Sequence, residues 1–400
     1  MKRTLWIKAI APLAAVAAGA TLAPSAAADQ TCSALPGATF ITGSSAVKPL
    51  VAGLAKALAG AMPVTQTLIY KGQGSCTGVD AIFNGTKITG TASYWDTGTE
   101  LTCNLDLPGG NVADIGVSDV FATSCAGVTS VPATVGDFFG PNQVMNLVVP
   151  AASSQTLISA QAAYLVYGLG AAGAASPWID ESFIFQRSAT SGTQSMIAAA
   201  IRAPAVKWKG VMEAKSSDML TAVTMSAQAE KTIGILASDV ADKARHMSPP
   251  PLKILAYQHF DQDCAWLPDS SSTSFDKRNV RDGHYPIWGP LHLFATIDAT
   301  KLPVKPNAKT VIGYFTGTAT PPASVKLLDL EIAASTVPAC AMKVQRSSEI
   351  GDVTAYTPSA PCGCYFDFKA TGATTCMACV TDTDCTGAAK HCRQTYCEAN

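Results

Sequence analysis

Charge is scarce in this chain. Asp, Glu, Lys and Arg make up 14% of its 400 residues, and they nearly cancel, with 28 basic against 29 acidic side chains. A nucleic-acid surface needs a basic face, so that class of partner is not expected. Long apolar runs are also missing: past the first segment, no run approaches the roughly 18 residues that span a bilayer. Enzyme signatures are absent too, with no Gly-x-Ser-x-Gly elbow, no P-loop and no His-Glu-x-x-His pair. His246, His259, His284, His292 and His391 stand isolated. Asp261 and Asp263 beside His259 suit a solvated acidic loop better than a metal site. The chain is therefore expected to be neither an enzyme nor a metal or cofactor protein.

Cysteine, by contrast, is abundant, and the amino terminus explains why. Lys2, Arg3 and Lys8 precede an Ala/Leu/Val run that ends at Ala26-Ala27-Ala28, the pattern of a cleaved export signal over residues 1–28. Cys32 follows Asp29-Gln30-Thr31 rather than a lipobox triplet, so no lipid anchor is expected and the protein is placed in the periplasm or outside the cell. Removing Lys2, Arg3 and Lys8 moves the net charge from −1 to −4. A mature chain of about 370 residues exceeds what one core usually holds, which predicts two lobes plus an appendage.

Thirteen cysteines in an exported chain imply disulfides. Cys32, Cys76, Cys103, Cys125 and Cys264 are scattered, Cys340 stands apart, and seven more crowd the last 39 residues. An odd count leaves at least one free or paired with another molecule. The Cys376/Cys379 pair has the spacing of half a zinc site, but an oxidising compartment favours a small disulfide-knotted module over residues 347–400. The segment Thr381–Cys385, TDTDC, resembles the Cys-rich repeats appended to some secreted bacterial proteins. Such a module implies contact with a surface or partner, or resistance to proteolysis.

The rest of the chain alternates short apolar runs with amphipathic helices, which predicts α/β architecture. Its organising stretch is Ser182–Ile201, SFIFQRSATSGTQSMIAAAI: a strand, a polar turn and an alanine-rich helix. A helix opening on Ser191-Gly192-Thr193 points free N–H groups and hydroxyls off its N-terminus, where the dipole favours negative charge. Arg187 adds a charged fork suited to an oxyanion. A plain N-cap would use the same residues. Similar turns follow the predicted strands at Ser44-Ser45 and at Gly74-Ser75, and a further strand ends at Asp119. Ligands of open α/β sheets sit at such carboxyl ends.

These residues carry a resemblance. Thr42–Leu50 (TGSSAVKPL), Tyr70–Val79 (YKGQGSCTGV), Ala113–Asp119 (ADIGVSD), Arg187–Thr193 (RSATSGT) and Thr232–Asp239 (TIGILASD) follow in order, and together they resemble the phosphate-binding proteins of bacterial ABC importers. The resemblance implies the type 2 periplasmic-binding-protein architecture: two α/β lobes with inorganic phosphate or a similar oxyanion between them, and an ABC permease as partner. It implies anion contacts from Ser44, Ser45, Ser75, Asp119, Arg187, Ser191, Gly192 and Thr193. It also implies a crossing between lobes near 125–150 and a return near 245–255. The lobes are accordingly expected at 29–128 and 253–346 for the first and 129–252 for the second. Two positions depart from the pattern: Ala189 stands where an acidic residue often braces the arginine, and Ala46-Val47 stand where a threonine is frequent.

Asp119 has its own logic. An aspartate facing an anion repels it unless the anion has a proton to share. Hydrogen phosphate does and sulfate does not, so Asp119 would select between them. The alternative role is a secreted or surface-displayed adhesion protein that works through its Cys-rich tail and keeps the lobes as a scaffold.

Overall fold

The computed structural model describes residues 30–63 and 65–399; the expected export signal at 1–28 lies outside them. Strand β1 (Ala38–Gly43) leads through a 3-10 turn into α1 (Lys48–Ala59), where Leu50, Leu54 and Leu58 recur at helical spacing and are buried on one face. The unit repeats as β2 (Thr67–Gly72) and α2 (Ser75–Phe83). A hairpin follows, β3 (Thr91–Trp95) with β4 (Glu100–Asn104), and then β5 (Ile115–Ser118). β1 lies parallel to both β2 and β5, as strand–helix–strand units require.

The longest strand is β6 (Val135–Pro150). Beyond it come β7 (Leu157–Ser159), α3 (Ala160–Tyr164), β8 (Phe185–Gln186), α4 (Gly192–Ile201), β9 (Val211–Met212), α5 (Ser216–Thr224), β10 (Gly234–Ala237) and α6 (Ser238–Arg245). β11 (Leu252–Ile254), β12 (Ala256–Gln258), α7 (Arg278–Arg281), β13 (Trp288–Thr296), α8 (Pro306–Thr316) and α9 (Leu327–Ala333) complete the body. The main sheet runs β10-β6-β13-β5-β1-β2-β3-β4, with β11 also on β6.

β6 belongs to two groups of strands. Val135 to Val144 pairs with β13, whereas Met145 to Pro150 pairs with β10 and β11. Two apolar cores lie against these groups, and the second runs past β6 to Val79, Ile82 and Phe294 of the first group. Leu50, Leu54, Ile115, Leu293 and Val311 pack around the first, and Leu147, Met196, Ile197, Ile235 and Leu236 around the second. Helix α4 is apolar almost all round and is accordingly buried along nearly its whole length.

The return between the groups comes later than the expected 245–255. β11 pairs with Val148–Pro150 and β12 with β7, and the chain rejoins the first group only at β13. The prolines at 249–251 follow α6 without carrying the chain across. The intervening loop is held to α6 by a buried ionic quartet. Lys277 Nζ lies 2.6 Å from Asp242 and 2.8 Å from Asp269, and Arg245 lies 2.7 and 2.9 Å from the same two carboxylates. Two further expectations differ. The stretch 154–167 opens with β7 before turning helical, and the region after Ser347 contains a helix, α10 (Gly363–Thr371), closed by Gly372 at φ 78°.

Two-residue strands β14 (Val344–Gln345) and β15 (Thr354–Ala355) lead to α10, and the chain ends in the hairpin β16 (His391–Arg393) and β17 (Tyr396–Glu398). Disulfides Cys364–Cys376, Cys379–Cys392 and Cys385–Cys397 knot this module, and Cys340–Cys362 ties it to the body. The sulfurs of Cys376 and Cys379 are thus committed to different bridges. Asp367 pairs with Arg281, and Lys369 reaches Asp329 of α9 at 3.2 Å, so the module is docked on the body. Cys32–Cys103 and Cys76–Cys125 bridge the first group, and Cys264 is free and exposed. No helix among the described residues is long and apolar enough to cross a membrane.

Candidate functional site

The carboxyl ends of β1 and β5 and the start of α2 meet at one point. Ser44 follows β1, Ser75 opens α2, Asp119 follows β5, and all three are buried. Asp119 Oδ2 accepts hydrogen bonds from Ser44 Oγ and, at 3.3 Å, from Ser75 Oγ, while the Asp119 N–H donates to Ser75 Oγ at 3.1 Å. The Ser44 hydroxyl also accepts from Ala46 N at 3.1 Å, so Ala46 contributes a backbone donor where a threonine hydroxyl was expected. Asp119 Oδ1 is buried without a partner. Burial raises the Asp119 pKa to about 6, against the opposing hydrogen bonds from Ser44 and Ser75 and the charge of Arg187.

The opposite wall comes from the β8–α4 turn. Arg187 is buried and its fork is held without an acidic brace. Nε donates to Glu213 O at 3.0 Å, Nη1 to Ser216 Oγ at 2.8 Å, and Nη2 to Ala214 O at 3.1 Å. Backbone carbonyls and a serine thus do what an acidic residue at position 189 would have done. Nη2 also reaches across to Ser45 Oγ at 3.3 Å. Ser191 is the N-cap residue of α4, with Gly192 and Thr193 in its first turn. A Cβ on Gly192 would collide with Ser75 Oγ and Asp119 Oδ2, so only glycine lets this helix terminus approach the first wall so closely. Cys76 N donates to Thr190 O at 3.3 Å across the same seam.

All eight residues expected at the site are therefore gathered at one junction. The cleft that opens from it has a volume of about 800 Å³, and Ser45, Tyr70, Ser216 and Asp239 lie on its walls. Lys48, Lys71, Lys215 and Lys243 stand around it, a local basic rim on a chain without net positive charge. Asp239 was not among the expected residues. It follows β10 as Asp119 follows β5, and the sequence carries the signal in the two strand-end pairs Ser118-Asp119 and Ser238-Asp239.

The arrangement offers an anion hydroxyl and N–H donors, one guanidinium and a carboxylate acceptor, all shielded from water.

No protein-family model matches the chain, and no curated protein matches it. Among solved structures, one from Clostridium perfringens, assigned as a phosphate ABC transporter substrate-binding protein with bound phosphate, superposes with a TM-score of 0.51 over 75% of this chain and 98% of its own, at 13% identity. The chain has the type 2 periplasmic-binding-protein fold. An ABC-type phosphate transport receptor from Vibrio cholerae matches with a TM-score of 0.47 at 16% identity, covering 75% of this chain and 99% of its own. A structure from Planctomyces limnophilus, described as a possible phosphate binding protein, gives 0.42 at 12% identity over 76% and 94%. At 13% identity the likeness to the first of these structures establishes the fold alone, and the site has to be argued from its own residues.

Proposed function

We propose that this protein is an exported solute-binding protein that captures phosphate, or a closely similar oxyanion, between two lobes and delivers it to a membrane importer of the ABC type. In this reading Ser44, Ser45, Ser75 and Asp119 grip the anion from one lobe. Arg187, Ser191, Gly192 and Thr193 grip it from the other, and closure about β6 buries it. The first lobe holds the strands on the β13 side of β6, the second those on the β10 side, and residues 347–399 form the appended module. The alternative of an adhesion protein working through that module gains no support from its docking on the body.

One observation carries the reading: a buried aspartate, fed by two serine hydroxyls and with one oxygen unpartnered, faces a buried arginine at a helix N-terminus. Such an acceptor rewards an anion that brings a proton and penalises one that cannot. Calorimetric titration of the mature protein with phosphate and with sulfate at near-neutral pH tests it. Phosphate is expected to bind at least about a hundredfold more tightly than sulfate. Asp119→Asn should narrow that gap, chiefly by admitting sulfate. Equal affinity for the two anions, or binding of neither, would overturn the reading.

A further inference from the structure

A second buried carboxylate lines the cleft that reaches Ser45, and the assignment to phosphate leaves it unused. Asp239 stands in the first turn of α6, two residues past the end of β10, and keeps only 7% of its surface exposed. Neither of its carboxylate oxygens has a hydrogen-bond partner. The N–H groups of Asp239 and Val240 lie close by without making a bond of normal geometry. The side chain lines the same cleft as Ser45 and Ser216, the two residues whose hydroxyls touch the Arg187 fork. With Asp119 Oδ1, three carboxylate oxygens are thus buried and unpartnered, and both aspartates act on the charge of Arg187.

The charges around Asp239 do not cancel it. On its own helix, Asp242 is taken by Lys277 and Arg245, and Lys243 stands at the cleft rim. From α5 and its N-cap come Asp218 and Lys215, and from the β8–α4 turn comes Arg187. From the first lobe, Tyr70 donates its hydroxyl to Ser44 O, Lys71 donates to Thr89 O and Thr91 O, and Lys48 pairs with Glu100 at 2.6 Å. Asp119 adds like charge. Arg187 feels both aspartates and would have to serve the anion as well, while Lys215 and Lys243 line the cleft beside Asp239.

A fully buried carboxylate needs a donor. The protein supplies two to Asp119 Oδ2 and none of normal geometry to Asp239. Resting on the phosphate reading, we propose that Asp239 is a specificity-determining residue that accepts a second ligand proton, so that the cup takes its tetrahedral oxyanion as the singly charged, dihydrogen form. One hydroxyl of the anion donates to Asp119 Oδ1 and the other to Asp239, while its unprotonated oxygens receive Arg187, Thr193 and the α4 N-terminus. The two strand-end Ser-Asp pairs then play matching parts, one from each lobe.

The experiment is calorimetry of the mature protein with inorganic phosphate at pH 6 and pH 8, in buffers of differing ionisation enthalpy. At pH 8, where phosphate is mostly the doubly charged form, binding should draw about one proton from buffer per anion, and affinity should fall about tenfold per pH unit. Asp239→Asn should abolish most of the proton uptake and flatten the fall in affinity between pH 6 and pH 8. The parent's proton uptake is a readout that does not depend on the variant folding. Phosphate binding without proton uptake at pH 8, or an Asp239→Asn variant with the parent's pH profile, would overturn this inference and leave the phosphate reading standing. Absence of binding at both pH values would overturn both.

Discussion

A single methyl group at residue 192 is enough to wedge the two walls of the cup apart. Gly192→Ala places its Cβ on Ser75 Oγ and Asp119 Oδ2, and Ser75 cannot rotate away without giving up Asp119. We expect phosphate affinity to fall at least about tenfold, with a stability loss of about 1–3 kcal/mol from overpacking. Calorimetry and a thermal melt of the same sample separate the two effects, and unchanged affinity would mean that the walls do not need to meet. Arg187 is a second sensitive position. Lysine cannot reach Glu213 O, Ala214 O and Ser216 Oγ at once, so Arg187→Lys should lose most of the binding even though charge is preserved.

Among the elements, α9 carries a testable anomaly. Glu331 is buried on it, and burial raises its pKa to about 8. The folded protein therefore holds this proton more tightly than the unfolded chain does. Stability is fully present below the unfolded value near 4.5 and is lost as pH rises toward 8, after which it levels off. Burial also raises Glu349, to about 7, and Asp119, to about 6, so the three carboxyls add in the same direction. Melting temperature should fall between pH 5 and pH 8.5. Glu331→Gln should flatten part of that fall, stabilising by at least about 1 kcal/mol at pH 8.5 and changing little at pH 5. A variant melting curve parallel to the parent's across this range would refute the assignment. The ionic quartet behaves oppositely, since removing one member strands the others: Lys277→Met leaves Asp242 and Asp269 short of a cation and should cost about 3–5 kcal/mol in a denaturant melt.

Legibility from sequence was greatest where the information is local. The strand, Gly/Ser turn and helix units at Ser44, Ser75 and Ser191 are written in consecutive residues, and their alternating and helical spacings fixed the elements that present them. The return crossing was not legible, because it depends on which strand β11 and β12 pair with, and neighbours in a sheet leave no trace in periodicity. Asp239 is legible only as the second of two Ser-Asp pairs at strand ends, because its burial depends on how β10 and α6 pack against the rest of the chain. Helix α10 escaped notice because disulfides and docking hold it, and no apolar stripe announces it.

For the whole molecule, the two groups of strands share one continuous strand, so the closure proposed above would have to twist β6. The appended module is fastened by Cys340–Cys362 as well as by Arg281–Asp367 and the Asp329 contacts. Replacing both cysteines by alanine should free the module to limited proteolysis near residues 347–361 while phosphate affinity changes little. A parallel loss of anion binding would show that the tail supports the cup. Glu349, which accepts from Phe121 N at 3.1 Å just past Asp119, is the route by which such a loss would travel.

The bridge Cys76–Cys125 joins the residue after Ser75 to the turn that follows Asp119. Half of the cup is thereby locked by a covalent bond that forms only under oxidising conditions. In a reduced chain that half-cup has no such tie, so its serine and aspartate are free to drift out of register. If the proposed reading holds, the reduced chain should therefore bind phosphate less tightly than the oxidised one, and the grip of the cup becomes a property of the compartment's redox state.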